Sequence, residues 1–177
     1  MKNGSPGAPG GPQSNILSNT MNPFAIGSSS MLSNLVVSLM DSGGSGGGDG
    51  DMWKGRAIAF VEALLKVLVA MRDAGNILLD ANTIRNYFSL ERLEAMADNA
   101  FIRDDGAYTI DISSYPGAIK EPVLNYLSTL PGYNKEKRGQ QVSQVYEQHG
   151  YITMQLTRIF TSLADTYGHI LRTRLAE

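Results

Sequence analysis

The chain has 177 residues, 42% hydrophobic and 18% charged, with 15 basic residues against 17 acidic ones and a net charge of −2. That near-balance argues against a general nucleic-acid binder, which normally carries a basic excess. With no cysteine and only His149 and His169, thiolate chemistry, disulfide scaffolds and histidine-rich metal centres are excluded. No run of about 18 apolar residues suggests a membrane span, and the Gly/Pro/Ser-rich start is not a secretory signal. The limits point to one intracellular, mostly non-catalytic domain long enough to bury a core.

Residues 1–20 hold Gly4, Pro6, Gly7, Pro9, Gly10, Gly11 and Pro12. They are expected to be a flexible lead-in, because so little apolar surface does not offset the entropy of ordering. The domain proper is expected over 21–177. Ser28, Ser29 and Ser30 offer N-caps for a helix from Met31 to about Met40, with Met31, Leu35 and Leu39 on one face and Leu32 and Val36 beside them. The glycine-rich stretch 42–50 follows. It lacks the Gly-Lys-Ser/Thr of a phosphate loop, its Asp49 and Asp51 repel phosphate, and it is too short for a calcium loop, so a flexible linker is expected.

Asp51 is positioned to cap a helix from Met52 to about Ala74. Ile58, Val61, Leu64, Leu65, Leu68, Val69 and Met71 give it an apolar face wide enough to pack on several neighbours, and Asp73-Ala74-Gly75-Asn76 supplies a stop. Asp80 caps a short helix over 81–88, and Ser89 another over 90–97. Asp105-Gly106, followed by alternating Tyr108, Ile110 and Ile112, signals either a small β-hairpin near Phe101 to Ile112 or an ordered loop there. A helix is predicted over 118–130 with Pro122 near its first turn, where a missing N–H matters least. Pro131-Gly132 makes a turn, and a final long helix is predicted over about 135–172, whole or kinked near Gly150. The fold class is therefore mainly α, a helical bundle-like domain.

Two short capped helices and a hairpin also fit a winged helix, which would make the chain a DNA-associated regulator. Charge opposes this alternative, because residues 80–121 carry eight acids against four bases. Glu91, Glu94 and Asp98 share one helical face, expected to be solvated, with Arg85 and Arg92 as counter-charges. His149 and His169 are expected on the helix surface or in interhelical hydrogen bonds. No catalytic, cofactor or metal residue is proposed. The candidate interaction patch is Tyr133, Lys135, Lys137 and Arg138: a compact basic group beside a tyrosine expected to be exposed, at a predicted helix start where the dipole disfavours positive charge.

Three stretches carry a resemblance: Asn22-Pro23-Phe24-Ala25-Ile26-Gly27 through Leu35, Met52-Trp53-Lys54-Gly55-Arg56-Ala57 through Leu64, and Tyr133-Asn134-Lys135 through Tyr151. Together they resemble the all-alpha domain of type IV secretion coupling proteins, with Trp53-Lys54-Gly55-Arg56-Ala57 as the best local marker. The resemblance runs from about Asn15 to Glu177. It implies a helical insert carried by a membrane-anchored, RecA-like hexameric ATPase on the cytoplasmic side of the bacterial inner membrane. It also implies a role in substrate reception or gating, with partners among the rest of that ATPase, secretion-system subunits, adaptors or effector proteins; from the charge balance, no nucleic acid is expected to bind this stretch. The nucleotide-binding motifs of such a motor are absent from this sequence, so the resemblance implies no enzymatic activity for this stretch.

Overall fold

The computed structural model describes residues 22–42 and 48–176, with the side chains of 42–51 and 168–176 outside the description. The lead-in expected over 1–20 lies outside the described residues, as does the glycine-rich core of the expected linker, 43–47. The helices are α1 (Ser29–Ser42), α2 (Gly48–Asp73), α3 (Ala81–Arg85), α4 (Leu90–Ala97), α5 (Gly117–Thr129) and α6 (Ser143–Ala176). Strands β1 (Ala100–Ile102) and β2 (Thr109–Asp111) pair antiparallel, with Phe101 opposite Ile110. The chain is mainly α with one small hairpin, as its periodicities predict.

Helix α2 is the centre. From Ala57 to Met71 only Ala59, Glu62 and Lys66 are exposed, because α1, α5 and α6 all pack against it. It begins at Gly48, ahead of the expected Met52, so Asp51 lies within the helix and is not its cap. At its far end Asn76 N–H donates to Met71 O and Gly75 N–H to Arg72 O, both at 2.9 Å. This paired closure needs the left-handed backbone that Gly75 adopts at φ +80°. Arg72 then reaches back to the carbonyls of Phe24 and Gly27, each at 2.8 Å, and fixes the turn before α1.

The caps form where the sequence places them. Ser28 Oγ accepts from Met31 N–H, Asp80 Oδ1 from Thr83 N–H and Ser89 Oγ from Arg92 N–H. Helix α1 is turned by about one residue from the expected face: Leu32, Val36 and Met40 are buried, Leu35 and Leu39 half-buried, and Met31 exposed. Helix α3 stops at Arg85, three residues short of expectation. Pro122 sits in the second turn of α5, beyond the first turn, so the i→i−4 bond to Ala118 is lost there. A row of rings crosses the core: Phe24 meets Phe160 at 6.2 Å, Phe160 meets Phe88 at 5.5 Å, and Phe88 meets Phe60 edge-on at 5.4 Å. Such pairs add about 0.5–1.5 kcal/mol each beyond area burial.

The final helix begins at Ser143, eight residues later than expected. The run Lys135–Lys137 is instead a single 3-10 turn capped by Asn134, whose Oδ1 accepts from Glu136 N–H at 2.9 Å. The conflict with a helix dipole expected for this basic run therefore does not arise. Helix α6 continues without interruption past Gly150.

Candidate interaction surface

Leu90, Leu93 and Met96 bury one side of the short helix α4 against the core. Glu94 lies between Leu90 and Ala97, one turn from each, and the same face carries it inward until it is 4% exposed. A carboxylate there requires donors. The segment after α5 supplies them: Tyr133 O–H donates to Glu94 Oε2 at 3.0 Å, Gln141 Nε2–H to the same oxygen at 3.0 Å, and Gly139 N–H to Oε1 at 3.1 Å. Glu94 is thus no part of a solvated acidic face, which corrects the expectation from its spacing to Glu91 and Asp98. Those two remain exposed.

Around this hub the segment is tied to itself. Gln141 also donates to the carbonyls of Asn134 at 2.8 Å and Lys137 at 3.0 Å, while its Oε1 accepts from Asn134 N–H at 2.9 Å. Arg138 pairs with Asp98 and donates from Nε to Tyr133 Oη at 3.4 Å. Partial burial pushes the Tyr133 hydroxyl up from its ordinary pKa, opposed by the Arg138 hydrogen bond and aided by the Glu94 carboxylate. Of the four predicted patch residues, Tyr133 and Arg138 are therefore half-buried and engaged. Lys135 and Lys137 stand exposed on the 3-10 turn and make no ion pair among the described residues. The structure brings the four together on one stapled loop in which two hold the fold and two face solvent.

Arg85 and Arg92 are not counter-charges to α4. Arg85 donates to Thr161 Oγ1 at 2.8 Å, and Arg92 lies over the Tyr87 ring at 5.1 Å. The α3–α4–hairpin succession that fits a winged helix does form.

His149 is buried between helices. Its Nε2–H donates to Phe88 O at 2.5 Å, since a carbonyl only accepts, so Nδ1 is left to accept from Tyr126 O–H at 2.8 Å. Burial holds its pKa below the usual imidazole value, partly offset by the Phe88 hydrogen bond. The ring is a neutral bridge, the second of the two roles expected for it, and not a surface side chain. The His169 side chain lies outside the described residues. Among the described residues no group of three or more His, Cys, Asp or Glu side chains is placed to hold a metal, and no helix is long and apolar enough to cross a membrane.

No protein-family model matches the chain. Its sequence relationship is nonetheless definite: the chain is related over nearly all its length to a segment of a type 4 coupling protein, and its fold is mainly α, the class expected for it. The particular relative is the type 4 coupling protein DotL of Legionella pneumophila subsp. pneumophila (strain Philadelphia 1), 67% identical over 168 residues, or 94% of the chain. The match takes in 21% of DotL, so the chain spans about a fifth of the length of the curated relative it matches.

Proposed function

We propose that this chain is the non-catalytic helical portion of a type IV secretion coupling ATPase of the Dot/Icm kind. In this role it serves substrate reception or gating on the cytoplasmic side of the bacterial inner membrane. The 67% identity to DotL over 168 residues carries this proposal. Its partners are the remainder of the coupling ATPase together with secretion-system subunits, adaptors or effector proteins. No catalytic residue, cofactor, metal or nucleic acid is assigned to this stretch.

The contact patch is the stapled loop with Tyr133, Lys135, Lys137 and Arg138. A loop held by the Glu94 hub presents Lys135 and Lys137 in a fixed place, so a partner pays little ordering entropy on contact. Arg138 and Tyr133 maintain that presentation.

The test is effector delivery by the full-length coupling protein carrying Lys135→Glu and Lys137→Glu, alongside its ATPase rate and thermal stability. Surface charge governs encounter and orientation, so a partial, salt-sensitive loss of delivery with normal stability is expected. Undiminished delivery by the stably expressed double variant would remove the patch from the proposal.

A further inference from the structure

The otherwise buried helix α2 is uncovered along one narrow strip, and that strip floors a cavity of about 530 Å³ between α1, α2 and α5. Its volume lies within the roughly 300–1,000 Å³ usual for small-molecule sites. Glu62 and Lys66 stand one turn apart on the floor, a spacing at which opposite charges commonly pair on a helix. Here they do not pair, and neither meets another charge among the described residues.

The wall above is the first turn and a half of α1. Ser28 Oγ satisfies Met31 N–H, and the amides of Ser29 and Ser30 donate to no atom of the described residues. A helix start alone would signify nothing, but Ser33, one turn on, supplies an independent observation. It lines the cavity at 5% exposure, and its hydroxyl has no hydrogen-bond partner among the described residues. The oxygen is not sealed off, since the enclosed side-chain atoms without a partner among the described residues are Arg92 Nη1 and Asn99 Oδ1, so the Ser33 hydroxyl opens into the cavity and is free to bond a polar group there. Asn34 and Asn125 face the same space, and their side chains are likewise without a partner among the described residues.

We infer that this cavity is a binding site for a small zwitterion, a molecule carrying one carboxylate and one ammonium group, of which an α-amino acid is the simplest case. The carboxylate lies at Lys66 and the α1 amides, where the helix dipole favours negative charge. The ammonium lies at Glu62. The hydroxyl of Ser33 and the side-chain amides of Asn34 and Asn125 suit a neutral polar remainder. A simple oxyanion such as phosphate fits less well, because Glu62 faces it with a like charge and only one lysine opposes that repulsion. The site shares no lining residue with the Tyr133–Arg138 patch, so it goes beyond the function proposed above, and either can fail without the other.

The test titrates the 177-residue chain, labelled for amide NMR, with L-glutamine and with the dipeptide glycylglutamine, which separates the two charges further. N-acetylglutamine, glutamine α-amide and inorganic phosphate are the controls. Saturable shifts at Ser29, Ser30 and Ser33 are expected with at least one zwitterion, and the two zwitterions report whether a free amino acid or a peptide fits. Lys66→Gln and Glu62→Gln, both exposed changes, should each weaken binding at least tenfold with the unfolding midpoint unchanged. Ser33→Ala should weaken it several-fold. The inference is overturned if neither zwitterion saturates these amides. It is overturned equally if N-acetylglutamine, the α-amide or phosphate binds as tightly as the zwitterions, or if both charge-neutralised variants bind as the parent does.

Discussion

The Tyr133 hydroxyl donates to the Glu94 carboxylate at 3.0 Å, joining two residues 39 positions apart in sequence. That bond lies at the centre of a small polar knot in which one buried acid organises the whole turn between α5 and α6. It carries two consequences: the carboxylate is a structural residue, and the lysines it helps display are not.

Glu94→Ala should therefore destabilise the fold by about 1–3 kcal/mol, because the Tyr133 hydroxyl, Gln141 amide and Gly139 N–H all lose their acceptor. Glu91→Ala, on the exposed side of the same helix, should stay within about 0.5 kcal/mol. Urea unfolding of the two variants measures the contrast. Equal midpoints would show that the knot contributes nothing to stability.

Leu65, Leu68 and Leu156 are each fully buried, the first two on α2 and the third on α6. Truncation of any one to alanine should cost about 2–5 kcal/mol, through lost transfer energy and the cavity left behind. Chemical denaturation reports it, and a loss below about 1 kcal/mol at all three sites would mean that α2 is not the centre of packing.

Acid should weaken the fold through His149. Burial sets its native pKa below 6.5, so on acidification the unfolded chain takes up this proton first. The stability contribution is full above the unfolded value and is lost as the pH falls through the native one. Melting temperatures of the parent and of His149→Gln, compared at about pH 7.5 and about pH 5, isolate the effect. The variant should show the shallower acid slope, and identical slopes would rule out His149 as the titrating group.

What the sequence makes legible here is what local chemistry decides. The caps at Ser28, Asp80 and Ser89 bind amides three residues on, and the hairpin follows from Asp105-Gly106, whose Gly106 N–H donates to Arg103 O at 2.8 Å. The apolar positions of α2 likewise announce its central place. Glu94 is illegible for the opposite reason, because its donors lie 39 to 47 residues downstream. The one local hint is its place between Leu90 and Ala97. The Lys135 run reads as helical because its side chains allow a helix, yet the hydrogen bonds from Gln141 hold it as a tight turn. The inward face of α1 is set by which side α2 and α6 occupy, and no residue of α1 encodes that.

The last helix closes contacts opened long before it. Arg56 donates to Gln148, Arg85 to Thr161 and His149 to Phe88 across 92, 76 and 61 residues, and Phe160 completes the row of rings begun by Phe24. On a ribosome working at about 5–20 residues per second, Phe88 waits roughly 4–14 s before Phe160 is made. Until then Phe24 and Phe88 lack the ring that joins them in the folded chain, whereas Phe60 already has Phe88 and Tyr126 to pack on.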